Sequence, residues 1–476
     1  MEENSSVQIN KEDIRHQIHD DLLGRKYRSP EESREEGKAL RKQYPRSQQG
    51  EWNVQKERKE AVNLIMDQEK DRLPDLIPIR HERMASSAFA FYRASAIVMA
   101  SDLSHTPYTG ITVQTCGDAH ISNFGMFMTP ERNLTFDIND FDETLPGPWE
   151  WDLKRLLTSV EICGRDHDFT KKQREKAVLS AARTYRESIR KFSEEGNLEV
   201  WYEHLNMEEL YTGNKKSMGE EAASLVHHAM DKAFSKNNDK AVSRLTETVD
   251  GRLRIKSNPP LVVPLREMPE EERNEILSQM NLARVEYRLS LPRERRSLID
   301  QYEVIDIARK VVGVGSVGTK DWIMVLQGRE NSDYLVLQIK EADESCLEHY
   351  IDKSMFVEHG RRVVEGQKAI QTAGDIMLGW ARIRDANGKP EDYYLRQLWD
   401  GKGSIDLEKI TPAGLTGVAD LCAWVLAHAH AKTGNRHQIA GYLGKDDTFD
   451  KAMLNFAQKY GDQNEEDYRM FLKTMK

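Results

Sequence analysis

Residues 304–342, VIDIARKVVGVGSVGTKDWIMVLQGRENSDYLVLQIKEA, constrain the fold more than any other stretch of the chain. They read as three strands, the first two joined by a glycine-rich turn from Gly313 to Gly318. Glycines let backbone N–H groups approach an anion closely, and G-x-G-x-x-G on its own also suits a dinucleotide-binding fold. A dinucleotide turn, however, opens into a helix. The run WIMVLQG after Gly318 is strand-like and leads into another turn, so the segment predicts antiparallel strands with a glycine tip. On the third strand Leu335, Leu337 and Ile339 face one way and Val336, Gln338 and Lys340 the other. This puts Lys340 on the face that can lie under the glycine turn, where its point charge reaches the same anion. The predicted helix SMFVEHGRRVVEGQKAIQ offers Glu358 and Glu365 as acidic partners for Lys340. Seven residues apart, the two share a helix face, and Glu365 is the preferred partner.

A second stretch, residues 115–156, carries the acids. Asp118 is followed by Asn123, then by two apolar runs around a turn (124–128, 129–133 and 134–138), and then by Asp140 and Asp142. Phosphoryl transfer uses one carboxylate to orient the attacking hydroxyl, with an amide oxygen and a further carboxylate to hold Mg²⁺. Asp118, Asn123 and Asp140 are of the right types in that order. In extended chain Asp142 shares a face with Asp140 while Asp137 points away.

These residues resemble the catalytic loop and metal motif of the protein kinase and aminoglycoside phosphotransferase superfamily, with D-x-x-x-x-N at Asp118 to Asn123 and an Asp-Phe pair at Asp140-Phe141. The resemblance implies that Asp118 is the catalytic base and that Asn123, Asp140 and Asp142 bind metal. It further implies that Gly313, Gly315, Ser316, Gly318, Lys340 and Glu365 hold ATP. Asp152, before a Leu-rich helix, would steady the backbone of the catalytic loop, and Cys116 stands where the superfamily usually has His. DYYLRQLWDGKGS resembles the hinge between the lobes, and TGVADLCAWVLAHAHAKTG the helix after it.

In the superfamily the glycine flap precedes the catalytic loop, whereas here it follows. The implied fold is therefore α+β, a kinase-like two-lobed domain that is circularly permuted, a rearrangement tolerated where termini lie close together at the surface. Its expected parts are a charged leader (1–60), a helical large lobe with the catalytic loop (61–303), a small lobe with the flap (304–400) and helices completing the large lobe (401–476). Most of the chain also resembles a largely bacterial family of unknown function marked by CGDAHxxNFG, FDxNDFDE, KVVGVGSVGT and RVVEGQ.

The expected function is ATP- and Mg²⁺-dependent phosphotransfer to an unidentified hydroxyl acceptor, a small molecule or a protein. The alternatives are nucleotidyl transfer in the same cleft and a non-catalytic nucleotide-binding regulatory module. A net charge of −10 argues against a general nucleic-acid partner. Four scattered cysteines without a C-x-x-C pair suggest neither a disulfide scaffold nor a zinc site, and no signal peptide or spanning run is evident, so a cytoplasmic protein without membrane contact is expected.

Three local expectations bear on the fold. MASSAFAFYRASAIVMASDL reads as one helix, DGRLRIKSNPPLVVPL as an irregular hairpin, and residues 1–60 as a solvated arm or disordered leader. Arg80 and Arg83 are candidates for an anionic group, with ion pairs to nearby acids on the surface the favoured reading. His428 and His430, two apart on a helix, point in different directions and cannot share a metal.

Overall fold

The computed structural model describes residues 28–475 except 219, 237, 312, 314–316, 331 and 386. Its twelve strands are β1 (Thr112–Thr115), β2 (Phe124–Met128), β3 (Leu134–Ile138), β4 (Leu145–Pro148), β5 (Thr246–Val249), β6 (Arg252–Ile255), β7 (Val262–Pro264), β8 (Glu303–Lys310), β9 (Trp322–Gln327), β10 (Tyr334–Glu341), β11 (Gly379–Arg384) and β12 (Pro390–Gln397). Helices make up most of the remainder, and the fold is α+β.

Six strands form one antiparallel sheet in the order β11-β12-β10-β9-β8-β7. The alternation along β10 holds: Leu335, Leu337 and Ile339 join a core with Ile276, Met280 and Tyr287 of the Glu270–Ser290 helix. Val336 packs on the opposite face with Ala241 and Val242 of the Asn238–Leu245 helix. The glycine turn joins β8 to β9, and Gly315 and Ser316 lie outside the described residues.

Part of that sheet comes from earlier in the chain than residue 304. The expected irregular hairpin is instead two pieces. Asp250 and Gly251, both at positive φ, form a tight turn between β5 and β6. The apolar run beyond them becomes β7, which pairs with β8 and extends the sheet to six strands.

The largest core is built on the Trp149–Asp166, Lys171–Phe192 and Pro412–Thr433 helices. The Trp149 indole stacks on the Tyr185 ring at 5.7 Å, fixing the entry of its helix. The Pro30–Gln43 helix, begun by a Ser29 capping box, packs against Arg436–Leu443. Gly37 and Gly441 permit this approach, since a Cβ on either would collide with backbone of the other segment. Residues 28–60 are thus not a solvated arm, and the rest of the expected leader, 1–27, lies outside the described residues.

The single helix expected before β1 is two helices, Ala88–Arg93 and Ala96–Leu103. At the break, Ala94 and Ser95 bond back three residues rather than four, and the Ala94 carbonyl accepts from Arg80 Nη2 at 3.1 Å. Arg93 thereby ends a helix rather than continuing one. Among the described residues no helix is long and apolar enough to cross a membrane.

Candidate active site

β1 pairs with β4, so the loop leaving β1 at Cys116 is held beside the start of the Trp149–Asp166 helix. One stripe of that helix braces the loop. Asp152 accepts from Cys116 N at 2.8 Å and Gly117 N at 3.0 Å, the role the resemblance implied for it. Arg155 Nε donates to Asp118 Oδ1 at 2.8 Å, and Ser159 Oγ accepts from Ile121 N at 2.8 Å. Positions 152, 155 and 159 share a helix face. Gly117 sits at φ +81°, where a Cβ would strike the Glu143 carbonyl, so this turn needs glycine.

Behind Asp152, His430 Nε2 lies 3.3 Å from Oδ2 and His430 Nδ1 meets the Tyr185 hydroxyl at 2.7 Å. His428 Nε2 bonds the Val200 carbonyl instead. Both histidines are structural, and among the described residues no group of three or more His, Cys, Asp or Glu forms a metal cluster.

Asn123 ties the two acidic segments together, its Nδ2 donating to the Asp118 carbonyl at 2.9 Å and the Asp140 carbonyl at 3.0 Å. Its Oδ1 is buried and has no hydrogen-bond partner among the described residues. A buried acceptor left open in this way is costly unless a ligand completes it. The β2–β3 hairpin then delivers Asp140. Asp137 does point away: it is buried and accepts from Thr372 N and Oγ1, each at 2.9 Å.

Lys340 comes to these acids from the six-stranded sheet. Its side chain is 3% exposed, with Nζ 2.6 Å from Asp142 Oδ2 and 3.5 Å from Asp140 Oδ1. Tyr394, opposite Lys340 in the β10–β12 register, donates its hydroxyl to Asp142 Oδ1 at 2.7 Å. Glu365 is not brought to Lys340. The His359–Ile370 helix turns Val363, Gly366, Gln367 and Ile370 inward, and Glu365 faces outward to Lys368 at 3.5 Å. Glu358, also considered, is the N-cap residue of that helix.

The titrations follow these contacts. Burial would raise Asp142, but the Lys340 charge and hydrogen bond hold its carboxyl down at about 2. Asp140 moves up through desolvation and the Asp142 charge. Lys340 is kept protonated: burial opposes its charge, and Asp140 and Asp142 outweigh it. Asp118 is raised by burial, with Arg155 and Arg93 pulling the other way. Burial, then Arg93 and Arg155, push His120 well below its usual range, so its imidazole is neutral.

Asp118, Asn123, Asp140, Asp142 and Gly313 line one cleft of about 300 Å³. Gly313 and Gly318 are both at positive φ, and the segment before the first core helices holds their turn. Leu73 N donates to the Gly318 carbonyl at 2.8 Å, Arg72 Nη1 to the Val317 carbonyl at 2.6 Å, and Arg83 to the Gly313 carbonyl. Arg80 pairs with an acid, Glu69, but the pair is buried rather than at the surface, and Arg83 meets the Gly313 carbonyl in place of an acid.

Four cleft cations escaped the sequence reading: Arg72, Arg93, Arg396 and Lys402. Lys402 has no hydrogen bond or ion pair among the described residues, and burial pushes its amine well below the usual range. Arg155 was missed as well. Its signal was a charged residue one turn beyond Asp152 on the same helix face. The other four come from three separate segments, with Arg396 and Lys402 sharing one, and only the fold assembles them.

No curated protein matches the chain, and no solved structure does. Residues 72–474 match a family described as an uncharacterized protein conserved in bacteria, and the chain belongs to that family, DUF2252.

Proposed function

We propose that the chain is an ATP- and Mg²⁺-dependent phosphotransferase acting on a hydroxyl acceptor, built as a circularly permuted kinase-like domain. The observation that carries this reading is the meeting of Lys340 with Asp140 and Asp142, from stretches about two hundred residues apart, at a cleft that the two acids line together with Gly313. A glycine turn between two strands, a lysine on the next, then a helix and two more strands is the arrangement that cradles nucleotide phosphates in kinases. The hydrogen bonds of Asp152 to the loop backbone support it too.

In this reading Asp118 orients the acceptor hydroxyl and takes its proton, a role favoured by its raised pKa. Lys340 neutralises the nucleotide phosphates, and the glycine turn covers them with backbone N–H groups. The donor set of one orphaned amide oxygen and two carboxylates suits a hard cation. Asn123 and Asp140, with Asp142, would hold Mg²⁺, which supplies charge neutralisation of the transferred phosphoryl group. The ion pair of Asp118 with Arg155 favours a second reading, a nucleotide-binding module without turnover. Nucleotidyl transfer uses the same groups with the α-phosphate presented.

A thermal-shift series with ATP and ADP, each with and without Mg²⁺, tests the binding step, since a ligand of the native state raises apparent stability. A Mg²⁺-dependent rise with ATP is expected. Absence of any shift at millimolar nucleotide removes both nucleotide readings.

A further inference from the structure

The cleft holds more positive charge beside Asp118 than one nucleotide site explains. Arg93 ends the Ala88–Arg93 helix, whose first turn is fixed by Ser87 Oγ accepting from Ala90 N. The helix stops because Ala94 and Ser95 turn the chain away, and the small side chains of Ala94 and Ala96 leave the cleft open around the arginine. The Arg93 guanidinium carbon lies over the Phe89 ring, 6.0 Å from its centroid. Its guanidinium has no hydrogen bond or ion pair among the described residues, and Nε is buried without a partner. Arg72, also at the cleft, has a buried Nε without a partner among the described residues, and its Nη1 donates to the neutral Val317 carbonyl. A guanidinium presents a planar fork matched to carboxylate and phosphate oxygens, and leaving it unpaired in a recess is unfavourable.

The acids nearest Arg93 are engaged elsewhere, while Asp343, which also lines the cleft, acts on Arg72. Asp118, the carboxylate acting most strongly on Arg93, is already paired with Arg155. Glu143 accepts from Cys346 N at 2.6 Å and Glu341 from Lys320 N at 2.8 Å. Asp140 and Asp142 are committed to Lys340. Arg396 and Lys402, where the chain leaves β12 along the segment resembling a hinge, also line the cleft, but both act on Asp140. Positive charge thus stands at Asp140 from these two and, separately, at Asp118 from Arg93.

We infer that Arg93, assisted by Arg72, forms an anion subsite beside Asp118, so that the hydroxyl acceptor is a small compound carrying a phosphate or carboxylate of its own. The inference rests on the phosphotransfer reading of Asp118. The acceptor's anionic group binds the Arg93 fork and its hydroxyl falls at Asp118, while the nucleotide phosphates occupy the Lys340 side. Transfer then forms the bond from acceptor oxygen to γ-phosphorus, breaks the bond from that phosphorus to the bridging oxygen of ADP, and moves the hydroxyl proton to Asp118.

The test is a calorimetric titration of the full chain, saturated with Mg-ADP, with glycerol 3-phosphate, glycerate and glycerol. One or both anions bind and glycerol does not, and which of them binds separates phosphate from carboxylate recognition. Arg93→Gln weakens anion binding about tenfold or more while changing Mg-ADP affinity by less than about twofold, and Arg93→Lys recovers part of the loss. Anions that bind no better than glycerol overturn the subsite, as does an Arg93→Gln protein, folded by its melting curve, with unchanged anion affinity. An equal loss of Mg-ADP affinity assigns Arg93 to the nucleotide and also overturns it. If Mg-ADP fails to bind while the anions still bind through Arg93, the nucleotide reading falls and the subsite stands.

Discussion

Lys340 and Asp142 lie 198 residues apart in the chain and 2.6 Å apart in space. The pair joins the six-stranded sheet to the acidic loop, so the cleft between them exists only in the assembled fold. Asp142 is 35% exposed on the cleft side while Lys340 is almost wholly enclosed. The pair is therefore half structural and half available, the condition for a group that stabilises the apo protein and also meets a ligand.

Lys340→Ala leaves Asp140 and Asp142 facing each other with the Tyr394 hydroxyl as the main remaining donor to Asp142. The expected loss of stability is about 1–3 kcal/mol, below the ~3–5 kcal/mol of a fully enclosed pair because solvent screens Asp142. Urea melts measure it. The same variant should bind Mg-ATP at least about tenfold more weakly; an unaltered dissociation constant would remove Lys340 from the phosphate site.

Asp140→Ala separates fold from function. Its carboxylate is 49% exposed, and its ion-pair partner, Lys340, keeps Asp142. Stability should therefore change by no more than about 1 kcal/mol. The Mg²⁺-dependent part of any ATP-induced thermal shift should vanish. A variant that keeps that shift in full rules Asp140 out as a metal ligand.

Asp152→Ala should act in the reverse manner. It strips acceptors from two loop N–H groups, Cys116 and Gly117, and takes from His430 its Nε2 partner, leaving only the Nδ1 contact with Tyr185. A loss of about 2–4 kcal/mol is expected, from buried donors left unsatisfied. Amide exchange should quicken at Cys116 and Gly117. Protection as strong as in the parent protein would show that the loop holds itself without this brace.

What the sequence disclosed divides along physical lines. The β2–β3 hairpin and strands β8 to β10 were legible because period-2 alternation and glycine turns are local signals. Asp152 was legible through resemblance. The break at Ala94 was not, because Ala, Ser and Ala are compatible with continuous helix and the turn is fixed by Arg80 from another segment. The run that forms β7 was given the wrong partner for a similar reason: it reads as the second arm of a hairpin, whereas it pairs with β8, more than forty residues away. Glu365 failed as partner of Lys340 because two glutamates on one face cannot reveal which way that face points. The packing of Val363 and Gly366 decides it. Arg93, Arg396 and Lys402 carry no pattern at all, and their shared cleft is a property of the tertiary fold.

The last prediction concerns pH. Asp321, at the entry to β9, is 1% exposed, and its Oδ2 is buried without a partner among the described residues. Burial raises its pKa; Lys340 opposes this and the Asp142 charge adds to it, leaving the carboxyl at about 7. Burial also raises Glu341 to about 7. A carboxyl that holds its proton more tightly in the folded than in the unfolded chain favours folding when protonated. The contribution is complete below the unfolded values near 4 and is lost as pH rises through about 7. Stability should therefore fall between about pH 4 and pH 7, by a few kcal/mol at most. Asp321→Asn, neutral and of the same shape, should flatten much of that fall, and adding Glu341→Gln should remove more of it. Melting temperatures across this range decide the matter: a parent protein equally stable at both ends, or a slope untouched by Asp321→Asn, would mean that Asp321 is ionised where it sits and that Lys340 serves three carboxylates rather than two.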